Sequence, residues 1–551
     1  MIHTIFIKVL FSFFIFSFLF PITSFAQEII WKKNFGGNVL TEYNDIMDIS
    51  GGVIAVGNGG ECGFEDLEGL PNHGGADAIV IKYDKNGNVI WKRNFGGADF
   101  DTHTSVCKVP DGMVAVGYSR VKSFNNGDWT GITGRGLRDA TIVKYNNNGN
   151  MIWGKNFGGE DDDSFLAVTA VPDGIVAVGE SYEYSFGSGN WEGVNGKGDC
   201  DAIIVKYDHN GNLVWKRNFG GKSNDRFKSV TTLSDGVIAV GASSIGSFAN
   251  GDWEGIESKG GSDAILVKYD FDGNMVWKKN FGGSSGDDFY SVIVVEDGIV
   301  AVGDSSGPSM GTGDWTGHTA HGQNSTEATI VKFDIDGNVV WKNNFGGRSW
   351  QGFRSVAQLQ DGFVAVGWAL YNCFDNGDWE GIHGKGTSDA IIVKFDNTGN
   401  VVWKKNFGGV SYDSYESVTY VSNSVIAVGS SYCDSFGSSD LEGLYCKGVA
   451  IDAIIVRYAD GEIGINEPYQ VLSEVEVYPN PTTGELRVRN KELRIEGIEL
   501  FDVYGRKVEG EVRREKGEGE ILLDISHLHS GLYIVRIITD AGNVVRKVIK
   551  Q

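Results

Sequence analysis

The residues best suited to chemistry lie in a glycine-rich segment that recurs along the chain. Its copies read N-G-D-W-x-G-I-x-G-K/R-G, which places a tryptophan, a carboxylate and a cation within a few residues of one another. An aromatic ring can stack on the apolar face of a sugar while charged groups bind its hydroxyls. These segments are therefore candidate ligand-binding loops. The candidate residues are Asp128, Trp129, Arg135, Trp191, Lys197, Asp252, Trp253, Lys259, Asp314, Trp315, Asp378, Trp379 and Lys385.

A purely structural role for the same loops stays open. In that alternative, tryptophan and aspartate lock each loop onto a neighbouring unit and the glycines serve turns. Leu67 and Leu441 replace the tryptophan in the first and last copies. Leucine replaces tryptophan in packing but not in stacking on a sugar, which favours the structural role. If the loops do bind sugar, five to seven weak sites would give avidity toward a multivalent ligand.

No catalytic or metal-binding motif is evident in the sequence. It contains no H-E-x-x-H motif and no phosphate-binding glycine loop. His318 and His321 share one loop without the further ligands of a zinc site, so we expect solvated residues. Turns such as Asp270–Asn274 resemble calcium loops but lack the following bidentate glutamate, so calcium is left open and no other cofactor is expected. The units differ too little to show an asymmetric active site, which indicates a non-catalytic protein.

The loops belong to a unit of about 62 residues that is repeated seven times. The tryptophan of a W-K-x-N-F-G-G block recurs every 60 to 64 residues, at Trp31, Trp91, Trp153, Trp215, Trp277, Trp341 and Trp403. Each unit also carries a D-G-x-V-A-V-G block and a D-A-I-I-V-K-Y/F-D block, both rich in strand-forming residues and bounded by turns. With 79 glycines, 8 prolines and 12% aromatic residues, the composition fits short strands and tight turns. We therefore predict four strands per unit.

Seven such units predict an all-β fold, a seven-bladed β-propeller over residues 27–462. A four-stranded sheet cannot bury both faces alone, whereas a radial arrangement lets each sheet cover its neighbour. An open solenoid is the alternative, although its repeats are usually shorter than about 50 residues. The first tryptophan strand lacks a preceding D-A-I-I-V partner, and the last D-A-I-I-V strand lacks a following tryptophan strand. We predict that Ile29–Phe35 pairs with Ala453–Tyr458 and closes the ring.

The repeats resemble those of secreted bacterial β-propellers. The stretch from Phe345 to Gly399 contains the G-G block, the D-G-x-x-x-x-G hairpin and the D-A-x-V-x-K close of such repeats. The hairpin D-x-N-G-N-x-x-W is also similar to the tryptophan docking motif of quinoprotein-type propellers, although it is one residue shorter. The resemblance implies the fold and very little about activity, because propellers host many functions.

A different pattern begins after a linker over residues 463–472. Over residues 473–551, short alternating strands with glycine turns predict a small β-sandwich. Blocks of the form Y-P-N-P-x-x-G, D-x-x-G-R and S-G-x-Y, followed by a basic end, resemble the type IX secretion sorting domain of Bacteroidetes-like bacteria. This resemblance implies that the type IX machinery recognises residues 473–551 and carries the protein across the outer membrane of a Gram-negative bacterium, to be secreted or held at the cell surface. The motif residues are Tyr478, Pro479, Asn480, Pro481, Gly484, Gly505 and Gly531.

Residues 1–26 have the pattern of a secretory signal peptide. Lys8 precedes the apolar run Val9–Phe20, and small residues lead to a predicted cut between Ala26 and Gln27. The run is too short for a membrane span, so we expect no transmembrane segment in the mature chain. The formal net charge of −24 disfavours nucleic acid and anionic membranes as partners.

The positions of the cysteines are informative. Cys62, Cys373, Cys433 and Cys446 fall in the long loops of units one, six and seven, which are neighbours in a closed ring. Four cysteines permit three pairings, of which Cys433–Cys446 is preferred and would suit an oxidising compartment. Cys107 lies in a predicted strand and is expected to be a buried thiol.

These patterns favour an exported propeller that binds an extracellular glycan or protein without catalysis. Two alternatives stay open. One is an enzyme that degrades extracellular polysaccharide on a propeller scaffold, and the other is a purely structural component of the cell surface.

Overall fold

The computed structural model describes residues 29–460, 476–489, 495–502, 507–508, 511–514, 520–539 and 542–551. The predicted leader over 1–26, its cleavage site at Ala26 and Gln27, the linker over 463–472 and Gly505 lie outside the described residues. Within the described ranges the regular elements are β-strands and single-turn 3-10 helices. No helix in this part of the chain has the length and apolarity needed to cross a membrane.

The first of two compact units, Met1–Tyr458, contains seven antiparallel sheets of four strands each. Its strands are β1 (Ile29–Phe35), β2 (Thr41–Ile49), β3 (Gly52–Gly60), β4 (Ala76–Asp84), β5 (Val89–Phe95), β6 (Asp101–Val109), β7 (Gly112–Arg120), β8 (Arg138–Asn146), β9 (Met151–Phe157), β10 (Asp163–Val171), β11 (Gly174–Tyr182), β12 (Cys200–Tyr207), β13 (Leu213–Phe219), β14 (Asp225–Thr232), β15 (Gly236–Ser244), β16 (Ser262–Asp270), β17 (Met275–Phe281), β18 (Asp287–Val295), β19 (Gly298–Ser306), β20 (Thr326–Phe333), β21 (Val339–Phe345), β22 (Gln351–Gln358), β23 (Gly362–Leu370), β24 (Ser388–Asp396), β25 (Val401–Phe407), β26 (Asp413–Val421), β27 (Ser424–Tyr432) and β28 (Ile451–Ala459). The 3-10 helices lie in the long loops, at Glu65–Leu67, Val121–Ser123, Gly127–Trp129, Glu183–Ser185, Gly189–Trp191, Ile245–Ser247, Gly251–Trp253, Gly307–Ser309, Gly313–Trp315, Tyr371–Cys373, Gly377–Trp379, Cys433–Ser435 and Ser439–Leu441.

Each sheet is a blade that runs outward from a central channel. Blade 1 is β2–β5, the following blades take four strands each in chain order, and blade 7 is β26–β28 with β1. The second and third strands are buried on both faces, which explains their continuous β-branched runs, as in β23 and β24. The innermost strand of every blade contacts that of the next blade around the full ring. The predicted seven-bladed β-propeller is therefore confirmed.

The ring closes by pairing the two ends of the repeat region. Strand β1 lies antiparallel to β28, with Ile29 opposite Tyr458 and Phe35 opposite Ala453. The sheet of blade 7 consequently has the order β1-β28-β27-β26 and takes its outer strand from the start of the propeller. The predicted seam is confirmed.

Tryptophans of the outer strands pack against the hairpin of the next blade. A Cβ added at Gly399 would lie 2.8 Å from the ring of Trp341, and Gly399 has a φ of +85°, so this position requires glycine. The Trp341 Nε1 donates to the carbonyl oxygen of Asn397 at 3.2 Å. Trp31 of blade 7 makes the same contact with Gly87 in the hairpin of blade 1. The D-x-N-G-N-x-x-W hairpin therefore docks a tryptophan, as its resemblance implies.

The second compact unit, Ala459–Gln551, contains two four-stranded sheets. The sheet orders are β29-β30-β34-β33 and β32-β31-β35-β36. Leu486 and Leu523 of the first sheet share one buried cluster with Leu500, Val535 and Val548 of the second, so this unit is a β-sandwich as predicted. Its strands are β29 (Glu476–Tyr478), β30 (Glu485–Arg489), β31 (Ile495–Asp502), β32 (Lys507–Val508), β33 (Glu511–Arg514), β34 (Glu520–Asp524), β35 (Gly531–Thr539) and β36 (Gly542–Lys550).

Candidate functional site

The structure places the candidate loop tryptophans in the interior of the propeller. Trp129 illustrates the arrangement, since its Nε1 donates to Asp101 at 3.0 Å and to the Ser119 hydroxyl at 3.1 Å. Its ring meets Phe95 edge-on at 4.7 Å. These side chains offer no face to a sugar, so the sugar-stacking prediction is wrong for them and their contacts support the structural alternative. The tryptophans that are 0% exposed are Trp129, Trp191, Trp253, Trp315 and Trp379.

A hydrogen-bond acceptor lies beneath each loop tryptophan. In blade 6, Gln351 takes the place of the aspartate and accepts the Nε1–H of Trp379 at 3.0 Å. In blade 1, Leu67 replaces the tryptophan and Thr41 replaces the aspartate, so no indole donor needs an acceptor. Burial raises the pKa of Asp101 to about 6, although its hydrogen bonds favour the charged form. In blade 7, Leu441 replaces the tryptophan although Asp413 is retained, and Asp413 Oδ1 has no hydrogen-bond partner among the described residues.

The candidate carboxylates and cations form contacts between adjacent long loops, which we call the interblade ring. Lys197 of one loop lies 2.6 Å from Asp252 of the next, and Lys259 lies 2.5 Å from Asp314. Arg135 instead donates to the carbonyl oxygen of Asn156 at 3.4 Å. The cation of a loop therefore serves its neighbour, and the predicted site within one loop is not assembled. The charged pairs are His73–Asp128, Lys197–Asp252, Lys259–Asp314, His321–Asp378, Lys385–Asp440 and Lys447–Asp66.

His321 is part of this ring, which corrects its prediction as a solvated residue. Its Nδ1 lies 2.6 Å from Glu327 and its Nε2 lies 3.3 Å from Asp378. The hydrogen bond to Glu327 raises the pKa of His321. His318 is also half-buried, with its Nδ1 3.2 Å from the Asn344 side-chain oxygen.

The turns that resemble calcium loops bind their own backbone. In the first hairpin, Asp84 Oδ1 accepts the backbone N–H groups of Asn86 and Asn88, each at 2.8 Å. These bonds lower the pKa of Asp84 and stabilise the hairpin turn. The described residues hold no cluster of three or more His, Cys, Asp and Glu side chains suited to a metal ion.

Residues that differ from blade to blade meet at one end of the central channel. The fourth residue of every innermost strand lines a cavity of about 410 Å³, which we call the channel mouth. Phe100 directly precedes β6 and Tyr118 lies near the end of β7, so this is the end of the channel that carries the long loops. The lining residues are Glu42, Asn44, Asn58, Phe100, Thr102, Thr104, Tyr118, Leu166, Lys228, Tyr290, Arg354 and Glu416.

One wall of the channel mouth is built from cations and aromatic rings. The Lys228 Nζ lies 3.9 Å from the centroid of the Tyr290 ring, and the Arg354 guanidinium carbon lies 4.1 Å from it. Lys228 also forms an ion pair with Asp288, and Arg354 lies 4.0 Å from Glu416. Both cations are therefore held in place by a ring and a carboxylate each.

A second wall, on blade 2, has the same construction. Phe100 and Tyr118 stack with centroids 5.9 Å apart. The guanidinium of Arg120 lies over Phe100 at 5.6 Å, and that of Arg138 lies over Tyr118 at 4.7 Å. Cation–π contacts of this type fix the rings in one orientation.

The channel mouth also contains acidic groups, among them Glu416, the carboxylate beside Arg354. Burial, followed by the neighbouring Glu416 carboxylate, raises the pKa of Glu42. Burial likewise raises the pKa of Glu416. Nearby, burial and the Asp288 carboxylate raise the pKa of Asp304 to about 7. Perturbed carboxyl groups in a cavity are typical of functional sites.

Asn58 contributes a polar atom without a partner. Its side chain is 3% exposed, and its oxygen accepts a hydrogen bond from the Thr102 hydroxyl at 3.2 Å. Its Nδ2 has no hydrogen-bond partner among the described residues. A buried donor that makes no hydrogen bond costs about 1–3 kcal/mol of stability. This N–H group therefore favours an acceptor from a bound ligand.

Exposed aromatic side chains lie above the channel mouth on blades 6 and 7. Trp350 directly precedes β22 and is 56% exposed, and its Nε1 donates to the carbonyl oxygen of Asn324 at 2.9 Å. Tyr412 directly precedes β26 and lies 5.3 Å from Tyr432, with exposures of 47% and 45%. These aromatics are specific to their blades, unlike the buried loop tryptophans. Sequence reasoning missed them because it followed the repeated residues.

The cysteines agree in part with their predictions. A disulfide joins Cys433 and Cys446, so the preferred pairing is confirmed. Cys62 and Cys373 are buried and free. Cys107 is also free, although it is half-buried and not fully buried as expected.

The motif residues of the C-terminal unit hold its first segment against its last strand. Asn480 accepts the backbone N–H of Ile549 at 2.9 Å and donates to the carbonyl oxygen of Lys547 at 2.6 Å. Gly484 donates its backbone N–H to the Thr482 hydroxyl at 3.1 Å. The Y-P-N-P-x-x-G block therefore closes one edge of the sandwich.

Residues 476–551 match the family described as the secretion system C-terminal sorting domain. This region is a type IX sorting domain. A sorting domain of this type implies secretion or localisation at the cell surface in Bacteroidetes. The predicted type IX sorting domain is confirmed, and it implies the type IX secretion machinery as a partner.

The chain is also similar, more distantly, to one curated protein and to several solved structures. The regulatory protein FlaEY of Caulobacter vibrioides is 27% identical over 183 residues, which are 32% of this chain and 19% of FlaEY. The chain thus spans about a fifth of the length of that relative. The WD40 β-propeller domain of Doa1 has a TM-score of 0.37 at 11% identity and covers 80% of this chain and 98% of that chain. The phage phi92 endosialidase has a TM-score of 0.38 at 10% identity and covers 89% and 75%.

Proposed function

We propose that the propeller is an exported, non-catalytic binding module that takes an extracellular glycan or protein at its channel mouth. The observation that carries this proposal is the convergence of the blade-specific residues in one open cavity. The repeated loop residues already make contacts within and between blades. Concave sites with aromatic walls and a few polar groups are the usual form of a ligand site.

The route of export combines two segments. We infer that the N-terminal 26 residues direct the chain into the periplasm and that the sorting domain then directs it across the outer membrane. A chain that lacks residues 473–551 should accumulate in the periplasm. Immunoblots of periplasmic, surface and medium fractions measure this, and normal export of the truncated chain would contradict the role.

The binding proposal can be tested with arrays of extracellular glycans and of surface proteins. Purified wild-type protein should give signals that Arg354→Ala loses, because this change removes the cation that holds Tyr290 and Glu416 in place. Ile90→Ala changes an exposed apolar residue of an outer strand and should keep the signals. Equal binding by all three proteins would place the ligand elsewhere.

A second candidate function is hydrolysis of polysaccharide, which the two neighbouring carboxyl groups Glu42 and Glu416 favour. Glycoside hydrolases use a pair of carboxyl groups, one of which has a raised pKa and acts as the acid. Release of reducing ends from a polysaccharide panel, abolished by Glu42→Gln and by Glu416→Gln, would support the enzyme and displace the binding module.

A further inference from the structure

We propose that the ligand of the channel mouth is a neutral, hydroxyl-rich saccharide chain, in preference to an acidic glycan or a charged peptide. This inference rests on the proposed function and names the ligand class of the same site. It follows from the hydrogen-bonding groups, the charges and the aromatic surfaces at and above the cavity.

The polar groups of the cavity require a partner that both donates and accepts. The Asn58 Nδ2 is a buried donor without an acceptor, and Glu42 is an acceptor without an ion-pair partner among the described residues. A hydroxyl donates one hydrogen bond and accepts another, so it satisfies both kinds of group. A carboxylate only accepts and would be repelled by Glu42. An ammonium only donates and would leave Asn58 unpartnered.

The charges of the cavity argue against an anionic ligand. Each cation of the lining is already engaged, Lys228 by Asp288 and Arg354 by Glu416. An acidic sugar would therefore add a negative charge near Glu42, whose pKa burial and the Glu416 carboxylate already raise. The net charge of −24 on the whole chain opposes its approach as well.

The aromatic surfaces above the cavity indicate a chain longer than one sugar. Trp350 lies four residues from Arg354 along an extended strand, which corresponds to roughly 13 Å. Its ring is fixed by the bond to Asn324 and is more than half exposed, as a sugar-stacking platform requires. Trp350 belongs to blade 6 and Asn58 to blade 1, so a ligand that reaches both must extend across the mouth. We therefore expect a terminal sugar in the cavity and further sugars on the rim.

The test is calorimetric titration of the purified protein with defined oligosaccharides. The neutral probes are gluco-, xylo- and manno-oligosaccharides, and the acidic probes are oligogalacturonate and oligoalginate. At least one neutral series should bind, with affinity rising with chain length. Asn58→Asp, which exchanges the unpartnered donor for an acceptor, should weaken binding at least tenfold.

Surface variants keep the test independent of folding. Trp350→Ala removes an exposed ring and should also weaken binding at least tenfold, whereas Tyr184→Ala removes another exposed ring, 74% exposed on the blade 3 loop, and should leave affinity unchanged. Thermal melts of each variant identify any loss of fold.

The outcomes separate this inference from the proposed function. Preferential binding of the acidic series, or of a charged peptide, with loss in Lys228→Gln would overturn the neutral ligand class and leave a binding module at the same site. Binding of a neutral oligosaccharide that is unchanged in Asn58→Asp and Trp350→Ala would overturn the assignment of the binding site to the channel mouth. No binding of any saccharide or surface protein would overturn the proposed function itself.

Discussion

The long loops and the channel mouth lie at the same end of the propeller. They use similar types of residue in different roles. In the loops, tryptophan, aspartate and lysine recur from blade to blade, and each is buried or paired with the next loop. At the channel mouth, equivalent positions carry asparagine, threonine, leucine, lysine, tyrosine, arginine and glutamate in blades 1 to 7. In this repeat protein, repetition marks the contacts that every blade must make, and departure from repetition marks the candidate site.

The strongest way to break the structural half of this comparison is to remove the seam. Deletion of Ile29–Phe35 leaves the outer edge of β28 unpaired and should lower the melting temperature by many degrees, since blade 7 loses its outer strand. Circular dichroism during a thermal ramp measures the change. An unchanged melt would contradict closure through β1.

A smaller but sharper contrast sets two tryptophans against each other. Trp253→Ala empties a fully buried site and removes a donor to Asp225 and Ser243, so we expect a loss of about 3–5 kcal/mol in the free energy of unfolding. Trp350→Ala removes a mostly exposed ring, and its stability should change by no more than about 0.5 kcal/mol. Urea titrations compare the two variants, and equal losses would refute the division between packing and binding tryptophans.

The disulfide lies in the long loop of blade 7, where Leu441 replaces the tryptophan. Cys433 and Cys446 close a short loop, separated by 13 residues, around Leu441. Their joint replacement by serine should cost about 3 kcal/mol through the entropy of the unfolded chain. Reduction of the wild type should reproduce the loss, and Cys62→Ser serves as a free-thiol control. A double variant as stable as the wild type would mean that Leu441 packing suffices.

The smallest expected effect concerns His321, the histidine of the interblade ring whose pKa is raised. Because Glu327 raises its folded-state pKa, its stabilisation is fully present below the unfolded pKa of about 6.5 and is lost as the pH rises through the raised value. His321→Lys keeps the charge at high pH. The variant should match the wild type near pH 6 and exceed it at pH 9 by about 1 kcal/mol or less. A pH-independent difference would show that the charge plays no part.

Much of the fold follows from the sequence, because repetition supplies the strand boundaries and the missing partners at each end. Ile29–Phe35 and Ala453–Tyr458 could be paired on that ground alone. The loop tryptophans could not be placed, since an N-G-D-W segment reads the same whether its ring faces solvent or Phe95. The leucine at positions 67 and 441 was the residue-level signal for burial.

The channel mouth could not be derived from spacing. Glu42 and Glu416 lie at opposite ends of the chain, and only ring closure brings them together. A signal was nevertheless present. The residue three positions after Asp101, Asp225 and their equivalents is different in every unit, whereas the residue after it is serine in five of the seven units. Trp350 is a tryptophan that no other unit repeats at that position.

Closure through β1 also sets the order in which the propeller can be completed. The first strand of the ring must wait for a partner more than 400 residues later, so blade 7 forms only after the whole body is available. Contacts of such long separation are slow to form because loop closure must precede any gain. Until that moment β28 has a free edge and the ring is open. Completion of the ring therefore joins the first strand of the propeller to its last.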